Sequence, residues 1–204
     1  MRVLGFRKMN IREDEFMRVI ARIASASVVL LSAAAFAQTE QPGPSIMYKN
    51  LEYRFGVIFP NQVQPMARDA TYTTKDGATL PARQFYLERG RERYTVTMVR
   101  VPNGPPIDKA HVDFTAEQLL KKGTAQFNYS YCYDPGIPGR QLNMTEPNGN
   151  QLRASVYMWD NRLYITEASA AVGTHDALQF EQSITILDPM GNDLDNGQGS
   201  PACP

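Results

Sequence analysis

The chain reads as an α+β domain in which an antiparallel β-sheet is flanked by helices. Three observations predict this. Period-two runs of β-branched and aromatic residues recur through residues 48–169. Turn dipeptides such as Asp76-Gly77, Asn148-Gly149 and Asp160-Asn161 punctuate them. Only one long stretch, residues 108–126, has helical patterning, and the short links between strands favour antiparallel neighbours.

Residues 1–37 form an N-terminal extension and a cleavable secretory signal peptide. From Met17, Arg18 and Arg22 make a basic head and Ile23 to Leu31 an apolar middle. Ala35-Phe36-Ala37 then places small residues where a signal peptidase cuts, predicting cleavage before Gln38. The apolar run is about 15 residues, short of the ~20 that a spanning helix needs. No cysteine lies nearby to take a lipid, so no stable membrane span is expected after cleavage. Glu13, Asp14 and Glu15 precede the run and weaken the charge bias that orients a signal. Of Met1, Met9 and Met17, the last is therefore the expected start. The predicted location is periplasmic or secreted.

Cleavage leaves 167 of the 204 residues, enough for one domain with a core. Removing the six basic and three acidic residues of 1–37 from 21 of each leaves 15 and 18, a net charge of −3. That balance argues against nucleic acid as a partner, because phosphate binding needs clustered positive charge. The densest basic stretch, Arg89 to Arg93, is broken by Glu92 and sits where a hairpin turn belongs.

Residues 38–45 are a polar, proline-rich leader, and a single domain is expected over 46–188. Tyr53, Phe55, Val57 and Phe59 alternate as in a half-buried strand that Pro60 ends. Residues 80–87 and 94–101 form the next pair of strands. In the helical stretch Asp108 is placed to cap the first turn, and Ala110, Phe114, Leu119 and Leu120 approximate an apolar stripe. Leu152 to Trp159 and Arg162 to Ser169 flank the two-residue turn Asp160-Asn161. That register pairs Met158 with Leu163 and Val156 with Ile165 on one face. The other face pairs Trp159 with Arg162, Tyr157 with Tyr164 and Ser155 with Thr166. A shorter helix is expected over 175–182 with Thr174 as its cap, and residues 189–204 read as a polar tail.

Cys132 and Cys203 are the only cysteines, and after export a sparse even pair reads as one disulfide. It would close a loop of about 70 residues, contributing on the order of 4 kcal/mol in the chain-entropy account. Neither cysteine has His or Cys partners at metal-site spacing. His111 and His175, beside Asp113 and Asp176, read as surface or capping residues. Ser169, His175 and Asp176 are close in sequence but carry no triad signature, and no nucleophile elbow occurs. Asp193 and Asp195 alternate as in a calcium loop, but the glycine is out of place and no glutamate closes it. The sequence therefore assigns no catalytic residue, metal or cofactor. Its candidate partner-binding set is Tyr157, Trp159, Arg162 and Tyr164, aromatic and Arg side chains being common interface anchors. The aliphatic face of the hairpin is the better core former, so this aromatic face is expected to be partly accessible; the competing reading covers it with a flanking helix. Tyr129, Tyr131 and Tyr133 could line up beside it on a neighbouring strand.

Several segments in order, Gly139-Arg140-Gln141-Leu142, Asn148-Gly149, residues 156–164 and Phe180 with Ser183-Ile184, resemble the PsbP-like superfamily, and within it small exported bacterial proteins of unknown function. The resemblance takes in the opening strand and covers about residues 48–188. It implies an α/β/α sandwich and an accessory or protein-binding role, with no shared catalytic residues. The function expected is an exported, non-catalytic binding or accessory protein of the cell envelope, whose partner is another envelope protein or a small ligand. The alternative is a small periplasmic, hydrolase-like enzyme with a site assembled from scattered residues.

Overall fold

Asp160 and Asn161 both adopt positive φ, 47° and 57°, which gives a two-residue hairpin turn the twist its strands require. The strands it joins are β8 (Gln151–Trp159) and β9 (Arg162–Ala170). Their register is the expected one: Trp159 faces Arg162, Tyr157 faces Tyr164 and Val156 faces Ile165. The computed structural model describes residues 46–102, 105–133 and 136–195. Residues 1–45, over which an extension, a signal peptide and a polar leader are expected, and Cys203 lie outside the described residues.

The remaining elements, in chain order, are β1 (Tyr48–Asn50), β2 (Phe55–Val57), β3 (Met66–Thr73), β4 (Thr79–Arg89), β5 (Glu92–Arg100), α1 (Lys109–Leu120), β6 (Thr124–Tyr133), β7 (Ile137–Thr145), α2 (His175–Gln182) and β10 (Thr185–Ile186). The large sheet has seven strands in the order β3-β4-β5-β9-β8-β7-β6, and β1-β2-β10 form a small one. Every strand pair is antiparallel.

This corrects the expected fold class. The molecule is β-rich, with ten strands in two sheets and two helices of 12 and 8 residues among the described residues, not a sheet sandwiched between helical layers. On one face of the large sheet α1 brings Val112, Ala116 and Leu119 onto Val156, Met158, Leu163 and Ile165. The opposite core takes Phe55, Val57 and Ile186 from the small sheet and only Ala177 and Phe180 from α2. Burying both faces of central strands produces near-continuous apolar runs instead of strict alternation. Residues 94–99 and 154–158 are accordingly buried without a break.

Local departures have identifiable causes. The long helix stops at Leu120 and residues 124–133 are a strand, because Gly123 lies so close to Thr145 that a Cβ would overlap the Thr145 carbonyl oxygen. The chain therefore turns there into β6, pairing Thr124 with Thr145. Asp108 does cap α1, its carboxylate accepting from the Ala110 N–H at 2.9 Å. The buried stripe is Val112, Thr115, Ala116 and Leu119; Ala110 is exposed and Phe114 half-buried. Thr174 precedes α2 but makes no capping bond, since its hydroxyl donates to the Ala171 carbonyl at 2.7 Å. The domain also runs past residue 188. The Leu194 N–H donates to the Ile186 carbonyl at 3.0 Å, and Leu194 packs on the core.

Candidate functional site

The predicted aromatic face divides into buried and accessible parts. Tyr157 and Tyr164 are 1% and 0% exposed, so the accessible-face expectation fails for both. The small sheet and α2 cover them, and the aromatic side of the hairpin is core like the aliphatic one. Burial pushes both phenol pKa values up. Trp159 and Arg162, at the end of the hairpin, are half-buried.

Trp159 lines a cleft of about 590 Å³ with Arg54, Pro106, Ile107, Asp160 and Pro189. Its walls are apolar and its charges lie together on one side. Asp160 Oδ2 accepts from Arg54 Nη1 at 2.6 Å and from Arg162 Nη1 at 2.5 Å. Two guanidinium groups on one carboxylate leave the cluster net positive. Arg100 stands directly opposite Arg162 across β5 and β9, and this like-charge pair lines an adjacent cleft that shares Asp160 with the Trp159 cleft. Asn161 fixes the far wall, its N–H donating to the Pro106 carbonyl at 3.1 Å and its amide to the Val101 carbonyl at 3.3 Å. Arg54 holds a positive φ of 57°, unusual for a residue with a side chain.

Another cleft, about 320 Å³, gathers the tyrosines of β6 that period-two spacing aligned. Tyr129, Tyr131 and Tyr133 share its lining with Tyr157, Gln141 and Glu181. Tyr157 sits edge-on to Tyr131 and Tyr133, ring centroids 6.2 and 5.6 Å away. Glu181 is 3% exposed. Its Oε1 accepts from the Ser155 hydroxyl, and its Oε2 faces Arg153 Nη2 at 3.6 Å. Burial pushes its carboxyl pKa up, against opposing pulls from Ser155 and Arg153.

The other sequence candidates are held apart. His111 Nδ1 meets Asp108 at 2.8 Å in the first turn of α1, and His175 is exposed. Ser169 donates to Glu146, while Asp176 is engaged by Arg89 at 2.7 Å, so Ser169 and Asp176 have separate partners. Asp188 Oδ1 accepts from the N–H groups of Met190 and Asn192, at 2.7 and 2.9 Å, as a turn residue does. Among the described residues, no three His, Cys, Asp or Glu side chains group so that they could hold a metal ion. No described helix is long and apolar enough to cross a membrane. Cys132 is buried at the end of β6, and Cys203 lies outside the described residues.

Sequence reasoning missed Arg54 and Glu181. Arg54 lies 106 residues from its partner Asp160, and no local pattern links them. Glu181 was findable: it follows Ala177 by four positions, which puts a carboxylate on the buried face of α2. No protein-family model matches this chain, and no curated protein sequence matches it either.

Proposed function

We propose that the chain is exported to the periplasm or the medium and acts there as a non-catalytic binding or accessory protein, capturing a partner protein in the Trp159 cleft. One observation carries the reading: the chain's single tryptophan lines an apolar-walled cleft whose charged edge is net positive. Tryptophan and arginine are the side chains that most often dominate binding energy at interfaces. The partner this chemistry suits is an acidic segment carrying an apolar anchor residue. The anchor enters between Trp159, Ile107 and the two prolines, while its carboxylates meet Arg54 at the cleft's edge and Arg100 and Arg162 in the adjacent cleft. An accessory role is also what the PsbP-like resemblance implies, and the signal-peptide pattern of residues 17–37 supports export.

The test is capture from envelope extract using exported protein, with cross-linking and mass spectrometry to locate the contact. Trp159→Ala and Arg54→Ala should each release the same partner, Trp159→Phe should retain part of it, and added salt should weaken capture. Cross-links that avoid this cleft, or capture indifferent to both alanine variants, would remove the proposal.

A further inference from the structure

The cleft lined by the β6 tyrosines is built differently from the Trp159 cleft and suits a different ligand. It combines several π faces with a carboxylate set at the base of a short helix. Its formation depends on Gly139. That residue faces Tyr157 across β7 and β8, and a Cβ there would overlap the Tyr157 ring. With no side chain at Gly139, the Tyr157 ring lies over the backbone of β7. Tyr131 and Tyr129, 39% and 45% exposed, stand on the adjacent edge strand.

Among the residues lining this cleft Glu181 alone is charged, and Arg153 pairs with it from outside the lining. Ser155 satisfies one carboxylate oxygen. The other is in an ion pair with Arg153 Nη2 at 3.6 Å, a separation that leaves room for a cationic donor to approach the carboxylate more closely. Burial chiefly, and after it the negative charge of Glu181, raises the phenol pKa values of Tyr129 and Tyr157, with Arg153 opposing the rise at Tyr129. Aromatic faces carry negative quadrupole density, and their attraction for a cation grows as both are desolvated. Ring faces beside a buried carboxylate therefore discriminate for positive charge, while Gln141 ties the wall together by accepting from the Tyr129 hydroxyl and donating to the Tyr157 hydroxyl at 3.5 Å.

We propose that this cleft binds a small organic cation, a substituted ammonium group, held against the exposed Tyr131 and Tyr129 rings with Glu181 as its counter-charge. The ammonium is too weakly hydrated to lose much on entry when alkylated, which favours a quaternary or secondary centre over a metal ion. The site is separate from the Trp159 cleft and does not depend on the protein-capture proposal.

Choline and its uncharged isostere 3,3-dimethylbutan-1-ol test this directly, because they share shape and differ in charge. Titration of the exported protein by calorimetry, with chemical-shift mapping, should show saturable choline binding and at least about tenfold weaker binding of the isostere. Tyr131→Leu keeps an apolar side chain on an exposed strand and should weaken choline about tenfold with the fold intact. Glu181→Gln should do the same, and Trp159→Ala should leave choline binding unchanged. Equal binding of the two probes, indifference to Tyr131→Leu, or no saturable choline binding at millimolar concentration would each overturn the proposal.

Discussion

Gly139 and Tyr157 are cross-strand partners, and the tyrosine ring occupies the space that a side chain at residue 139 would need. The pair joins fold to site, since the same ring is fully buried and forms part of the tyrosine cleft. Gly139→Ala should therefore destabilise the protein by about 1–3 kcal/mol, the range for overpacking a filled interior. Combining it with Tyr157→Leu should cost less than the two single changes added together, because the obstacle has gone. Urea denaturation of the four variants measures this coupling; strict additivity would mean that the ring and the glycine are independent.

Two buried tyrosines should respond oppositely to loss of a hydroxyl. Tyr164 is fully buried and its hydroxyl has no hydrogen-bond partner among the described residues. Tyr133 donates to Asp193 Oδ1 at 2.5 Å and accepts the Ile186 N–H at 3.2 Å. Tyr164→Phe removes an unpaired polar atom and should leave stability unchanged or raise it by up to about 1 kcal/mol. Tyr133→Phe strands two partners and should cost about 1–3 kcal/mol. A comparable loss in both would show that the Tyr164 hydroxyl has a stabilising partner.

The hairpins were readable from the sequence because their signals are local. Asp160-Asn161 and Asn148-Gly149 fix turn geometry, turn geometry fixes register, and register assigns every side chain of β8 and β9 to a face. What local pattern does not show is what lies over each face. Val156 and Tyr157 look like a core residue and a surface residue only if one face of the sheet is covered. Val156 is buried under α1, and Tyr157 is buried because residues 48–57 and 185–186 return as a second sheet, both long-range events with no local marker. Misreading residues 121–126 as helix has a similar origin, since close approach of Gly123 to Thr145 is tertiary. The Trp159 cleft was half visible: Trp159 and Arg162 follow from the hairpin register, whereas Arg54 reaches Asp160 only after the chain has folded.

The two cysteines should be bonded to each other in protein recovered from an oxidising compartment. Cys132 is buried at the end of β6, while the polar tail carries Cys203. Intact protein should resist alkylation without reductant, and reduction should add the mass of two hydrogens. Loss of the bond should destabilise by about 2–4 kcal/mol, less any strain released. Two thiols that alkylate readily in native, unreduced protein would dismiss the pairing.

The N-terminus of α1 should contribute to acid stability. The Asp108 carboxylate accepts from His111 Nδ1 at 2.8 Å and from the Ala110 N–H at 2.9 Å. The histidine contact, followed by the backbone bond, holds its pKa below the usual carboxylate range. An acid with a lowered folded-state pKa binds protons less readily when folded than when unfolded. Its stabilising contribution is therefore fully present above the unfolded aspartate value of about 3.9, and is lost as pH falls through the lower folded value. Asp108→Ala should cost about 1 kcal/mol at neutral pH as a lost cap. Asp108→Asn keeps an acceptor for the Ala110 N–H but has no titrating charge, so it should cost less at neutral pH and flatten the acid limb of the stability curve. Thermal unfolding of the three proteins between about pH 3 and 7 separates the effects. Parallel curves for wild type and Asp108→Asn would show that the carboxylate charge contributes nothing to acid stability and that only cap geometry matters.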